Sequence, residues 1–417
     1  MAYTLIRNGT LIDGNGSAPV PDGAVLINGD RIEAVGRLDT LKRPAGALTE
    51  IDAGGGTILP GLIDAHVHMT AQLDGGLMKV ATTPFSMNFY LAIGYLRRTL
   101  DAGITTVRDA GGADLGLKRA LEGGLIDGPR MQISIVPLSI TGGHLDFWLP
   151  SGEHLGLFTP HPGLPSGICD GVDEVRKKVR EVLRAGAEVI KVCATGGVLS
   201  PTDHPEFTQF TPEELGVMVQ EGAYRRGVKV MAHAQGSEGI KNAVRAGIHS
   251  IEHGIYLDDE AIELMLERGT FVVPTLLAPQ AVIEQAEQTG NISEWALRKS
   301  KEVLQAHRDS IRRAHKAGVR IAMGTDAGVM PHGMNLRELG LMHDHAGMSA
   351  METIVATTRT AAECLGWQDR VGTLAAGKLA DVTITSIDPL ADIHALTPET
   401  ITRVLQGGRV VKGGRVA

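Results

Sequence analysis

The chain has 417 residues and a formal net charge of -8, with 43% hydrophobic and 21% charged residues. That balance suits a globular protein, is too apolar for a disordered one, and lacks the basic footprint of a nucleic-acid binder. Three cysteines (Cys169, Cys193, Cys364) cannot all pair and do not cluster, which argues against a disulfide framework and a cysteine-based zinc site. The opening MAYTLIRNGTLID has no basic or apolar leader, and no run reaches about 18 apolar residues, so neither a signal peptide nor a membrane helix is expected. The expected compartment is the cytoplasm.

Taken in chain order, residues 1–57 read as short alternating segments: YTLIRNG, TLIDG, AVLING, DRIEAVG and TEIDAGG. Gly, Asn and Asp separate them, which is a hairpin signal. A first core strand is expected near Ile58 to Ala65, in TILPGLIDAHVH, and GGG at 54–56 is the turn that leads into it. After this strand one device repeats: a helical stretch ends in glycine and a β-branched strand comes at once. It reads DAG-ITTVRD, RAG-AEVIKV, RRG-VKVMAH, RAG-IHSIEH, ERG-TFVVPT and KAG-VRIAMGTD. Glycine just past a helix end is the left-handed cap. Strands this apolar throughout belong in a parallel sheet buried on both faces. With RMQISIVP (130–137), the series reaches eight strands separated by helical patterns. An α/β fold of the (β/α)8 TIM-barrel type fits that count. A dinucleotide-binding open sheet would want a Gly-rich turn after its first strand, where this chain has HVHMT. Residues 150–168 are rich in Pro and Gly without periodicity and read as a long loop on the active side. From about 370 the alternating pattern returns. The simplest arrangement is one small composite β-sandwich of residues 1–57 and 370–417, beside a barrel of residues 58–369.

In such a barrel the site lies at the C-terminal ends of the strands. Strand one ends in His66-Val67-His68, and residues two apart in a strand point the same way. Strand four carries Lys191, strand five ends at His233, strand six at His253 and strand eight at Asp326. Asp109 and His144 come after strands two and three. A single strand-end histidine is commonly structural; this set, on five different strands, points to metal ligation. Burying an unpaired ammonium is costly, so Lys191 in an apolar strand needs a chemical reason. Imidazole and carboxylate ligands suit zinc. Four His and one Asp are few for two ions, but a lysine made into a carbamate by CO₂ gains two ligand oxygens and can bridge them. Cys193 faces the same way as Lys191 and reads as a buried thiol. His154, His161, His204, His249, His307, His315, His343, His345 and His394 read as surface or loop residues.

These motifs resemble the amidohydrolase superfamily: GLIDAHVH (61–68), Lys191, AHA at His233, IEHG at His253, GTDAG at Asp326 and VGTLAAGKLADV (371–382). Within it, TTVRDAGG (105–112), TGGH (141–144), ATGGVLSPTD (194–203) and AHAQGSEGIKNAV (232–244) are similar to metal-dependent Xaa-Pro dipeptidases and imidazolonepropionase-like proteins. The resemblance covers essentially the whole chain, composite sandwich included. It implies that His66, His68 and Asp326 hold one divalent metal, most simply Zn²⁺, and that His233 and His253 hold a second. It implies that Lys191, carbamylated, bridges them, and that Asp326 takes a proton from the attacking hydroxide and passes it to the leaving amine. His144 would contact the substrate carbonyl. Gln235 stands where some relatives have a substrate-touching tyrosine.

The implied activity is hydrolysis of the amide bond of a dipeptide or N-acyl-L-amino acid, a small-molecule substrate, by a homo-oligomer without nucleic-acid or membrane partners. His332 and Arg337, after strand eight, and the N–H groups of Gly196 and Gly197 are candidates to read a substrate carboxylate. The alternatives are a hydrolase of cyclic or xenobiotic amides or esters with the same metals, a mononuclear deaminase or imidazolonepropionase, which the lysine disfavours, and a non-enzymatic binding protein on a dead barrel, which the intact ligand set disfavours.

Overall fold

A computed structural model describes residues 2–73, 76, 79, 82–149 and 151–413. Five strands come first: β1 (Ala2–Leu11), β2 (Val20–Asn28), β3 (Arg31–Arg37), β4 (Ala47–Asp52) and β5 (Thr57–Pro60). The central strands are β6 (Leu62–Val67), β7 (Ile104–Asp109), β8 (Arg130–Ile133), β9 (Val189–Cys193), β10 (Lys229–Ala234), β11 (Ser250–His253) and β12 (Phe271–Val273). Near the end of the chain come β13 (Val382–Thr385), β14 (Ile401–Gln406) and β15 (Arg409–Lys412).

Strands β6, β7 and β8 form one parallel ladder, and β9 to β12 another. Single bridges complete the ring: Leu138 to Val192, Val272 to Ile321 and Val67 to Ala327, all parallel. The expected strand after Gly318 closes the barrel without a ladder of its own. It is tied by Ala65 N to Met323 O (2.9 Å), Val272 N to Arg320 O (2.9 Å) and Asp326 N to His66 O (2.8 Å). The expected strand at 130–137 is likewise cut short, because Ile135 turns to φ +70° before the chain rejoins the barrel at Leu138. Glycine caps hold where expected: Gly186 and Gly318 stand at φ +109° and +94° just past their helices.

The two chain ends share one mixed sheet, in the order β15-β14-β13-β5-β1-β2-β3, with β4 also on β1. One core draws Ile6, Val25 and Ile51 from the first end and Val382, Ile384 and Leu405 from the last. Residues 57–60 pair with β13 and β1, so the barrel strand begins at Leu62 and not at Ile58. Gly61 makes the change of layer: a Cβ there would lie 2.1 Å from Thr105 Oγ1, and its N–H bonds Asp381 O at 2.8 Å. The terminal residues 414–417 lie outside the described ones. No helix among the described residues is long and apolar enough to cross a membrane.

Candidate metal centre

The strand ends bring His66, His68, Lys191, His233, His253 and Asp326 around one cavity of about 340 Å³. Leu145, Phe147, Phe158, Val198, Leu199 and Ile255 supply much of its apolar wall. Phe158 and its neighbours come from the long loop after strand three, as expected; its first residue, Pro150, lies outside the described ones.

Each ligand candidate histidine is tied at one ring nitrogen, leaving the other for a ligand. His66 Nδ1 meets Glu252 Oε2 at 2.8 Å, and His68 Nδ1 meets Gly111 O at 2.9 Å. His253 Nδ1 meets Thr275 Oγ1 at 2.7 Å, and His233 Nε2 meets Gly196 O at 3.0 Å. Metal-binding imidazoles are typically oriented in this way by outer partners. Asp326 Oδ1 lies 3.3 Å from His68 Nε2 and 3.5 Å from His66 Nε2. Among the described residues, these three form a group with ligand atoms within 4.8 Å of one another. The His253 ring is 4.6 Å from that of His233 and 5.2 Å from that of His66. Lys191 Nζ sits between, 3.3 Å from His66 Nε2.

Backbone strain helps to aim these groups. His253 and Asp326 stand at φ +74° and +62°, and Thr275 at +52°. Non-glycine residues in this region cost of order 1–3 kcal/mol and cluster at functional sites. Ser250 and Glu252 share one face of β11 and bond each other at 2.6 Å. By alternation His253 would point away from them; its positive φ frees it from the strand and turns it to the site.

Burial, with the charge of Lys191, pushes the His66 imidazole well below its ordinary range. Burial and the neighbouring His144 do the same to His233, and burial with the neighbouring His233 and His66 to His253. Neutral imidazole is the ligand form. Burial also lowers the Lys191 ammonium, partly against Glu252. It opposes ionisation of Asp326 too, but His66, His68 and Lys191 outweigh it and hold that carboxyl below the usual carboxylate range. Burial opposes protonation of His68 as well, but Asp326 outweighs it and raises that imidazole. Four imidazoles and a carboxylate are the donor types that suit divalent zinc-like ions.

His144 joins this group, its ring stacked on that of His233 at 4.2 Å and 18°. Gln235 lines the cavity too, and its Oε1 is buried without a hydrogen-bond partner. The structure does not bring His332 or Arg337 to the cavity wall. His332 Nε2 bonds Ala71 O at 2.9 Å and its ring stacks on Tyr95. Arg337 makes a two-pronged pair with Glu284 at 2.9 and 2.8 Å. The Gly196 and Gly197 amides are occupied by Phe207 O and Asp203 Oδ2. His307, expected at the surface, is 1% exposed and bonds His253 O at 2.9 Å, because the inward stripe of helix Glu294–Ala317 carries it. His249 is also drawn in, to Cys364 O at 3.1 Å. His154 and His161 line the cavity from its loop. Cys193 is buried, its thiol pushed up to about 12 by desolvation.

Sequence reasoning missed Glu252, Arg108 and Asp64 behind the ligands; Asp109 it named only as coming after strand two, and the structure makes it the last residue of β7. Glu252 is fully buried and receives Arg108 Nη2 at 2.9 Å, while Arg108 Nε bonds Ala65 O at 2.7 Å. A charged residue inside the apolar strand TTVRD was the available signal, the same one that singles out Lys191. Asp109 receives the amides of Met69, Gly111 and Ala113, and Asp64 those of His66 and Thr325.

A family model, the amidohydrolase family, matches residues 57–411. The chain is similar to ochratoxinase of Aspergillus niger, 38% identical over 430 residues that cover 98% of this chain and 87% of that one. A Xaa-Pro dipeptidase structure with methionine bound in its active site matches with a TM-score of 0.87 at 33% identity, covering 99% of this chain and 100% of that one. A prolidase complexed with N-methylphosphonate-L-proline matches at 0.89 and 35% identity, covering 98% and 99%.

Proposed function

The chain belongs to the amidohydrolase family and is a hydrolase acting on carbon–nitrogen bonds, and we propose that it cleaves the amide bond of a dipeptide or N-acyl-L-amino acid with two divalent metals, most simply zinc. The observation that carries this reading is the convergence of four imidazoles, each tied at one nitrogen to a partner outside the group, with Asp326 and Lys191. His66, His68 and Asp326 would hold one ion, and His233 and His253 the other. Lys191, its amine depressed by burial, would add CO₂ at Nζ, release a proton and bridge the two as a carbamate. Bound there, the metals would polarise the scissile carbonyl and lower the pKa of a water to make the nucleophile.

The chain's own groups do the rest. Asp326 is ionised and accepts the proton of the attacking water, then returns it to the leaving nitrogen. His144 contacts the carbonyl oxygen as its charge develops. The apolar walls exclude competing water and suit a small substrate with apolar groups. The amino-acid moieties held by the similar dipeptidase and prolidase support an amino acid as the leaving part.

A second reading, hydrolysis of a cyclic or xenobiotic amide or ester at the same site, is favoured by one observation. His332, Arg337 and the Gly196–Gly197 amides, the groups suited to reading a carboxylate, are engaged elsewhere. Zinc-restored protein tested on N-acyl amino acids, dipeptides and their C-terminal amides separates the two. Cleavage of the free acids over the amides supports the first reading. Cleavage of a lactam or hydantoin, with neither acid nor amide touched, installs the second. Lys191→Ala should lose metal by elemental analysis and lose turnover; two ions retained with normal turnover removes the bridge.

A further inference from the structure

Behind His144 lies a buried ionic cluster that the proposed chemistry has not used. Lys299, on helix Glu294–Ala317, is 2% exposed. Its Nζ donates to three carbonyls of one loop, Gly197 at 2.9 Å, Ser200 at 2.8 Å and Asp203 at 2.6 Å, and lies 3.4 Å from Asp203 Oδ1. Asp203 Oδ2 also takes the Gly197 amide at 3.2 Å and the Gln209 amide group at 3.4 Å. The Ser200 hydroxyl hydrogen-bonds Asp203 Oδ1. On the cavity side, His144 Nδ1 lies 2.8 Å from Ser200 Oγ and 3.6 Å from Asp203 Oδ2.

The contacts along this chain favour one direction for its protons: Ser200 Oγ has two acceptors beside it, Asp203 Oδ1 and Gly197 O. A hydroxyl has one proton to donate. The carboxylate claims it, through the closest contact Ser200 makes, so Ser200 Oγ faces His144 as an acceptor. Nδ1 must then supply the hydrogen, and Asp203 just beyond favours the same arrangement. With Nδ1 engaged, Nε2 is the nitrogen left for a ligand in the cavity that His144 lines. The ring cannot easily turn over: a Cβ on Gly197 would lie 2.2 Å from its Cε1, and the His233 ring is stacked on it at 4.2 Å. An ammonium buried at 2% exposure is costly unless paired and fully hydrogen-bonded. Lys299 meets that condition, and in doing so fixes the loop that carries both Ser200 and Asp203.

We propose that Lys299, Asp203 and Ser200 are positioning residues for His144: they hold its imidazole with Nδ1 protonated and Nε2 turned to the cavity, where it accepts a hydrogen in the neutral ring and donates one to a carbonyl oxygen only in the imidazolium form. The catalytic consequence rests on the reading that His144 meets the scissile carbonyl, which needs a second proton on Nε2 beside the one held on Nδ1; the positioning itself does not. Two measurements keep these apart. The first is NMR of the zinc-loaded protein labelled with ¹⁵N-histidine, the His144 signals being identified by their loss in His144→Gln. Nδ1 should resonate as a protonated nitrogen in the wild type. In Asp203→Asn and in Ser200→Ala it should move toward the average of exchanging tautomers. An unprotonated Nδ1 in the wild type, or a shift unchanged in both variants, overturns the proposal.

The second measurement is turnover. Acid–base and hydrogen-bonding groups at the reacting centre are typically worth 10²–10⁴-fold, so Asp203→Asn should lower kcat by at least about 10-fold with metal content unchanged. In a His144→Gln background the same change should add almost nothing, because both variants remove one function. A full additional loss in that background overturns the claim that Asp203 acts through His144. If His144→Gln itself leaves kcat unchanged, the catalytic reading of His144 fails, while the NMR result still decides the positioning.

Discussion

The two halves of the candidate centre are built differently. In the first half, that of His66, His68 and Asp326, a charged pair on strands, Glu252 with Arg108, stands behind His66. Asp109 holds the amide of Met69, next to His68, and that of Gly111, whose carbonyl meets the His68 ring. His233 and His253 are held by a carbonyl and a hydroxyl on the loops above, Gly196 O and Thr275 Oγ1. The first half has a buried charged pair directly behind one of its rings. The second rests on loops that also carry Ser200, Asp203 and the His144 stack. On the chemistry proposed above, the contrast is a division of labour: the first half would fix an ion and the proton carrier, and the loop-borne half would meet the substrate.

The largest test breaks the first half alone. Asp326→Asn keeps the shape but cannot accept and return a proton, so turnover should fall by about 10²–10⁴-fold. A folded variant with near-normal turnover would take Asp326 out of the chemistry. Glu252→Gln comes next. It removes the anionic partner of His66 and leaves Arg108 buried without its counter-charge. Metal affinity should drop by about 10–100-fold, and stability by about 3–5 kcal/mol as for a broken buried pair. Competition with a chelator reads the first and denaturant unfolding the second. The matching change in the loop-borne half, Thr275→Val, should cost less in both; equal costs would erase the distinction between the halves.

The smallest effect lies behind the second half. Glu338 is fully buried and receives the amides of Leu276 and Leu277 at 2.8 Å each, next to Thr275. Burial, with Asp64 nearby, pushes its carboxyl up to about 8 from an ordinary 4.5. The folded state therefore binds a proton that the unfolded state releases between these values. The associated stability is present below about pH 4.5 and lost as pH rises through 8. Glu338→Gln, a permanent neutral, should flatten that decline. Unfolding midpoints of the two proteins across this window check it, and parallel curves would contradict it.

Much of this arrangement is readable in the chain itself. Glycine caps leading into β-branched strands announce a parallel barrel, because only buried strands tolerate such continuous apolar runs. Once strand ends are known, HVH, the lysine in EVIKV, and the last residues of VMAH, SIEH and MGTD fall at one mouth. Their chemistry comes from residue type, and the cost of burying a lysine marks Lys191.

What only the tertiary structure decided depends on contacts between distant segments and on dihedrals that no local pattern encodes. Strand alternation sends His253 to the wrong face, and its φ of +74° corrects this. Arg337 and His332 lie close enough to the last strand to suggest substrate contacts, yet Glu284 and Ala71 claim them. Lys299 lies 96 residues from Asp203, on a helix whose inward stripe looks like an ordinary amphipathic face. Composition and period determine which face of an element is buried. Which buried polar group meets which depends on how the loops pack, because a buried donor or acceptor must find a partner wherever the fold supplies one.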